Sequence, residues 1–168
     1  MRLFLIGVAA LTGVVAGLKA EQPDKCSGPE FRQFDFWLGS WLVRKPDGTV
    51  VGTNEISRIS GSCAVREQWS GKTGNTGMSL SYYDPTDKKW HQDWVGSDGH
   101  ILHLEGGLAG NDMVLSHVAG ANVDRVAWTP LPDGKVKQVW EQSTDGGRTW
   151  KSAFIGIYES PTTANAAR

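Results

Sequence analysis

The chain has 168 residues, eight of them tryptophan, and a formal net charge of −1. With charges so nearly balanced and no basic stripe to neutralise phosphates, a nucleic-acid partner is excluded. A mature length of roughly 150 residues supports one hydrophobic core, burying about two-thirds of the unfolded surface.

Met1 and Arg2 precede an apolar run over residues 3–18 that ends in small residues, with Ala20 as the candidate cleavage point. This is the pattern of a secretory signal peptide, and the run is too short to favour a stable membrane span. Leu18 is a poor residue three places before that bond, so a cut after Gly17 and a retained anchor are the alternatives. Pro23, Asp24 and Lys25 precede Cys26, so there is no lipobox. The expected organisation is a signal peptide over 1–20, a flexible lead-in over 21–30, one β-barrel domain over 31–160 and a disordered tail over 161–168. The expected compartment is the periplasm or the exterior, with no membrane span after cleavage. In such a compartment the only two cysteines, Cys26 and Cys63, are expected to form a disulfide, free buried thiols being the alternative.

Residues 29–37 are the one helical candidate, because Phe31, Phe34 and Leu38 can share a helical face and plug a barrel end. An extended lead-in is the competing reading. Beyond it the apolar period is two, which predicts strands with one buried face. Ten are expected: 41–45, 50–60, 63–70, 77–84, 89–96, 101–108, 113–118, 124–131, 136–143 and 149–158. Their links are short and rich in turn residues, among them Asp47-Gly48, Asp98-Gly99 and Asp133-Gly134. None is long enough for the crossover that parallel strands require. The result is a single all-β domain, an antiparallel meander of about ten strands. It must close into a barrel, because an open sheet would leave long edges and an apolar face in water. A Greek-key sandwich is the competitor, but it needs longer loops.

Gly39-Ser40-Trp41 resembles the Gly-x-Trp signature of lipocalins and their calycin relatives. The run Phe34-Asp35-Phe36-Trp37-Leu38-Gly39-Ser40-Trp41, with Trp90-His91-Gln92-Asp93-Trp94-Val95 and Gln138-Val139-Trp140-Glu141-Gln142-Ser143, is similar to a family of exported bacterial proteins of unknown function. That resemblance, covering residues 34–158, implies a calycin-like barrel and export but no reaction. It also implies a basic side chain stacked over Trp41, a cation–π contact of roughly 1 kcal/mol. Arg148 or Lys151 would have to supply it.

Alternation assigns faces within strands. Trp90, Gln92 and Trp94 point one way; so do Val136, Gln138 and Trp140, and so do Val65, Glu67 and Trp69. Inward faces that mix tryptophan with amides and a carboxylate suit a pocket better than a dry core, where an unpaired polar group costs a few kcal/mol. The expected ligand-binding residues are therefore Glu67, Trp69, Gln92, Trp94, Arg125, Gln138 and Trp140. Arg125 belongs to them only if it, and not Val126 and Trp128, faces inward. Inward, it could pair with Glu67 or hold an anionic group.

Ser143-Thr144-Asp145-Gly146-Gly147-Arg148-Thr149-Trp150 resembles the Asp-box turn of sialidases and other propeller enzymes. The chain is far too short for a propeller, so a mechanical role is expected, with Asp145 bonding turn amides and Trp150 packing beneath. His91, His100, His103 and His117 show no zinc spacing, and no metal or cofactor is expected. The functional expectation is a non-enzymatic carrier or sensor that holds a small, partly apolar, aromatic molecule in a Trp-lined cavity. Three alternatives stand beside it. They are catalysis by a barrel carboxylate, Glu67 or Glu141, with Glu105 also in reach; haem ligation by His103 or His117; and an interaction module using the outer barrel surface.

Overall fold

A computed structural model describes residues 25–161. The expected signal peptide, residues 21–24 of the lead-in and residues 162–168 lie outside the described residues. Ten strands alternate along the chain: β1 (Gly39–Arg44), β2 (Val50–Ile59), β3 (Ala64–Gly71), β4 (Thr76–Asp84), β5 (Lys89–Gly96), β6 (Ile101–Ala109), β7 (Asp112–Ala119), β8 (Asn122–Pro130), β9 (Val136–Ser143) and β10 (Lys151–Glu159). Each pairs antiparallel with the next, and β10 returns to β1, closing the barrel as the short turns predict. The seam is brief. Leu42, Val43 and Arg44 register with Glu159, Tyr158 and Ile157, and an ion pair between Arg44 and Glu159 reinforces it.

Period-two alternation places Trp41 and Val43, Val65 and Glu67, Trp90 and Gln92, Leu102 and Leu104, Met113 and Leu115, and Val126 and Trp128 inside. Trp128 is 0% exposed, which settles the phase of β8 against the inward reading of Arg125. That side chain instead lies over the ring of Trp150, 3.9 Å from its centroid, and donates to Glu141 Oε2 at 2.7 Å.

The segment ahead of β1 forms two 3-10 turns, Pro29–Arg32 and Asp35–Trp37, where a single short helix was expected. They plug one end of the barrel. Phe34 and Trp37 are stacked at 5.0 Å, and Phe34 meets Trp90 and Trp128 edge-on at 5.6 and 5.1 Å. Each such ring removes roughly 150–250 Å² from water, at about 25 cal/mol per Å². Polar ties fix the plug to the wall: Trp90 Nε1 donates to Gln33 Oε1 at 3.0 Å, Arg58 donates to the Phe31 carbonyl at 3.2 Å and ion-pairs with Asp35. The Cys26–Cys63 disulfide is formed, joining the start of the plug to the β2–β3 turn across 37 positions.

Trp41 belongs to this plugged end. Its Nε1 donates to the Trp37 carbonyl at 2.8 Å and its ring meets Tyr158 edge-on at 6.3 Å. Neither Arg148 nor Lys151 is found stacked over it; the cation–π pair among the described residues is Arg125 on Trp150.

The turn from β9 to β10 is built around Asp145. Its Oδ1 accepts from the amides of Arg148 and Thr149, both at 2.9 Å, and its Oδ2 accepts from the Thr149 hydroxyl at 2.6 Å. Gly146 and Gly147 take φ of 73° and 85°, and Trp150 Nε1 donates to the Gly147 carbonyl at 3.0 Å. Such φ values favour glycine.

Two outcomes follow for stability. Cys63→Ser should cost about 4 kcal/mol on the chain-entropy model, read from urea unfolding of oxidised wild type against the variant, and non-reducing peptide mapping should recover the Cys26–Cys63 pair. The hydrogen bonds from Thr149, chiefly, hold the Asp145 carboxyl down at about 2, against a usual 3.8. Its contribution is therefore complete above pH 3.8 and lost as pH falls through about 2. Asp145→Ala should lower stability at neutral pH and flatten that acid limb; parallel pH profiles for the two proteins would rule the role out.

Candidate functional site

The end opposite the plug is not filled. A cavity of about 270 Å³ opens there, lined by Glu67, Trp69, Asn75, Gln92, Trp94, Leu102, Val126, Gln138, Trp140, Ala153, Phe154 and Tyr158. It lies near the lower bound of the roughly 300–1,000 Å³ usual for small-molecule sites. Six of the seven residues singled out from the sequence surround it, contributed by β3, β5 and β9. Arg125 does not, because β8 turns it outward.

Three glycines, not singled out in the sequence, make room for the aromatic wall. A Cβ on Gly52 would stand 2.6 Å from the Trp69 ring, one on Gly77 would overlap the Trp94 ring, and one on Gly156 would stand 2.7 Å from the Phe154 ring. Gly52 and Gly77 make room for a ring from the neighbouring strand, and Gly156 for the ring of Phe154, two residues earlier on β10 itself. A glycine inside a strand pattern is the signal that could have found them.

The floor of the cavity is polar and buried. Glu67, 5% exposed, accepts from Asn54 Nδ2 at 2.6 Å on Oε1 and from Ser79 Oγ at 2.6 Å on Oε2. These partners come from β2 and β4, whose register sets Ile56 and Ser79 directly across from Glu67. Burial pushes the Glu67 carboxyl above its usual value near 4.5, and the two hydrogen bonds offset only part of that. Burial, reinforced by the negative charge of Glu67, also holds Tyr158 well above the usual phenol range. Its hydroxyl therefore stays a donor, and it donates to Gln138 Oε1. Gln92 Nε2 donates to Ser81 Oγ at 3.0 Å. The two amides thus use opposite ends on the wall, leaving Gln138 Nε2 and Gln92 Oε1 to a ligand. Asn54, Ser79, Ser81 and Tyr158 are partners that sequence reading missed, since only the barrel register brings them to Glu67 and the glutamines.

Towards the open end, Asp124 Oδ1 accepts from Trp140 Nε1 at 2.8 Å and Gln142 Nε2 at 2.9 Å, and His100 stands edge-on to Trp140 at 5.5 Å. The remaining candidates are dispersed. Glu141 is held by Arg125 and Glu105 by Lys89, both on the outer face, so Glu67 is, among the described residues, the sole carboxylate lining the cavity. His103 is exposed and pairs with Asp93 at 2.5 Å; neither it nor His117 lines the cavity. Haem ligation from within the cavity thus has no axial histidine among the described residues. Asp84, Asp87 and His91 lie close together on the β4–β5 hairpin, where their atoms already serve the turn amides of Thr86 and Lys89 and one another.

Neither models of known protein families nor curated protein sequences match this chain.

The raised Glu67 carboxyl fixes a pH dependence of stability. Below pH 4.5 folded and unfolded chains both carry the proton; above it the unfolded chain ionises first, so stability is lost as pH rises through the higher folded value. Urea unfolding of ligand-free protein from pH 4.5 upward should show wild type losing stability relative to Glu67→Gln. A constant difference between the two proteins would contradict this environment for Glu67.

Proposed function

We propose that the protein is an exported, calycin-like binding protein of the periplasm or exterior. It carries or senses a small, partly apolar, aromatic molecule in the open end of its barrel. The observation that carries this reading is the composition of one cavity, in which Trp69, Trp94 and Trp140 offer flat apolar faces while Gln92 and Gln138 keep unspent hydrogen-bonding groups. Aromatic walls supply burial, and a few placed polar groups fix orientation. The formed disulfide supports an oxidising compartment. Among the described residues no helix is long and apolar enough to cross a membrane.

The raised carboxyl of Glu67 favours a second reading, general acid or base catalysis on the bound molecule. Both of its oxygens are already engaged by Asn54 and Ser79, and among the described residues no second carboxylate lines the cavity. Binding without turnover is therefore the simpler use of the site.

Mass spectrometry of protein isolated natively from the exporting cell should find a small molecule that copurifies. Adding that molecule to ligand-free protein should quench intrinsic fluorescence, and Trp94→Phe or Trp140→Phe should each reduce the quench. A quench unchanged in both variants would place the ligand elsewhere, and turnover abolished by Glu67→Gln with the fold intact would favour the enzyme.

A further inference from the structure

Taking the cavity as a binding site, we infer that it selects compact organic cations. A quaternary ammonium or protonated amine would sit against the faces of Trp69, Trp94 and Trp140, with the Glu67 carboxylate as its buried counter-charge. Three observations converge. Among the described residues the lining holds no lysine, arginine or histidine, and Arg125, the expected anion anchor, is spent outside on Glu141 and Trp150. The electron-rich faces of indole rings attract cations most strongly where water is excluded. Glu67, finally, is a buried carboxylate approached, among the described residues, by two hydrogen-bond donors and by no cation, and a buried charge demands compensation. An anionic ligand would meet that charge with nothing to oppose it.

Two species can compensate Glu67, a proton in the empty cavity or the cation when it is bound. Binding therefore releases a proton wherever the empty site holds one. The groups facing Glu67 are Asn54 and Ile56 from β2, Ser79 from β4 and Tyr158 from β10. Only Tyr158 among them titrates, and it does so well above the neutral range. The wall residues Gln92 from β5 and Gln138 from β9 are uncharged. Nearer the open end are Asp124, His100 beside Trp140, and His117 in register with Asp124.

The test uses three probes of similar size on the oxidised, ligand-free protein: phenyltrimethylammonium, its neutral carbon isostere tert-butylbenzene, and benzenesulfonate. Calorimetry and tryptophan fluorescence should give the cation at least about tenfold tighter binding than the neutral isostere, with the anion weakest. Affinity for the cation should rise by about tenfold per pH unit up to the carboxyl's own pKa and level off above it, while that of the neutral isostere stays flat. Glu67→Gln should erase the slope and reduce the preference to what the indole faces alone supply, while keeping the neutral probe within about twofold. Should that variant fail to fold, the wild-type pH profile decides alone. Equal or tighter binding of tert-butylbenzene or benzenesulfonate, or a pH slope retained in Glu67→Gln, overturns the cation assignment while leaving a small-molecule site in place. Binding of none of the three overturns both.

Discussion

Phe34 and Trp37 stack inside one end of the barrel, against Trp90, Trp128 and Tyr158, and this contact decides how the interior is used. A closed ten-stranded barrel has more interior than its own wall residues fill. With the plug in place the core is dry and dense at one end, and the remaining space collects at the other. The plug is held by the Cys26–Cys63 bridge, by Arg58 and by the Trp90 to Gln33 hydrogen bond. Each tie joins the segment ahead of β1 to a different part of the wall. The open end is thus a consequence of where the N-terminal segment docks.

Between the packed end and the cavity lies a layer of polar side chains, Asn54, Glu67, Ser79, Ser81, Gln92, Gln138 and Tyr158, largely bonded to one another. In a core filled to the top such residues would be a liability, because a buried polar group keeps its desolvation cost unless partnered. Here they pair sideways within the wall and turn their spare capacity upward. Asn54 Oδ1 finds no partner among the described residues. The layer stores a carboxylate in a place where water solvates it poorly, and functional sites commonly do the same.

The outer face of the same strands carries ordinary surface chemistry. Arg125 with Glu141, Lys89 with Glu105, and His103 with Asp93 are exposed or half-exposed pairs, each worth little to stability. Their importance is negative: they withdraw from the interior every cation and all but one of the glutamates that the sequence offered as site residues. The Asp145 turn likewise stays off the cavity: Asp145 satisfies the amides of Arg148 and Thr149, and the Gly146 amide donates to the Ala121 carbonyl of the β7–β8 turn at 2.9 Å.

Sequence alone determined the all-β class, the ten strands and the closed meander, because a period of two and short glycine turns are local properties that leave little topological freedom. It also grouped Glu67 with Trp69, Gln92 with Trp94 and Gln138 with Trp140, since side chains two apart share a face of any strand. The phase of β8 was beyond it. Arg125 and Trp128 fall on opposite faces, each defensible inside, and only the packing of Trp128 against Phe34 and Trp37 chose between them. Tertiary structure alone also supplied Asn54 and Ser79 as the partners of Glu67 and Tyr158 as the partner of Gln138. Those neighbours are set by inter-strand register across distant parts of the chain, where no local pattern records which residue will stand opposite which.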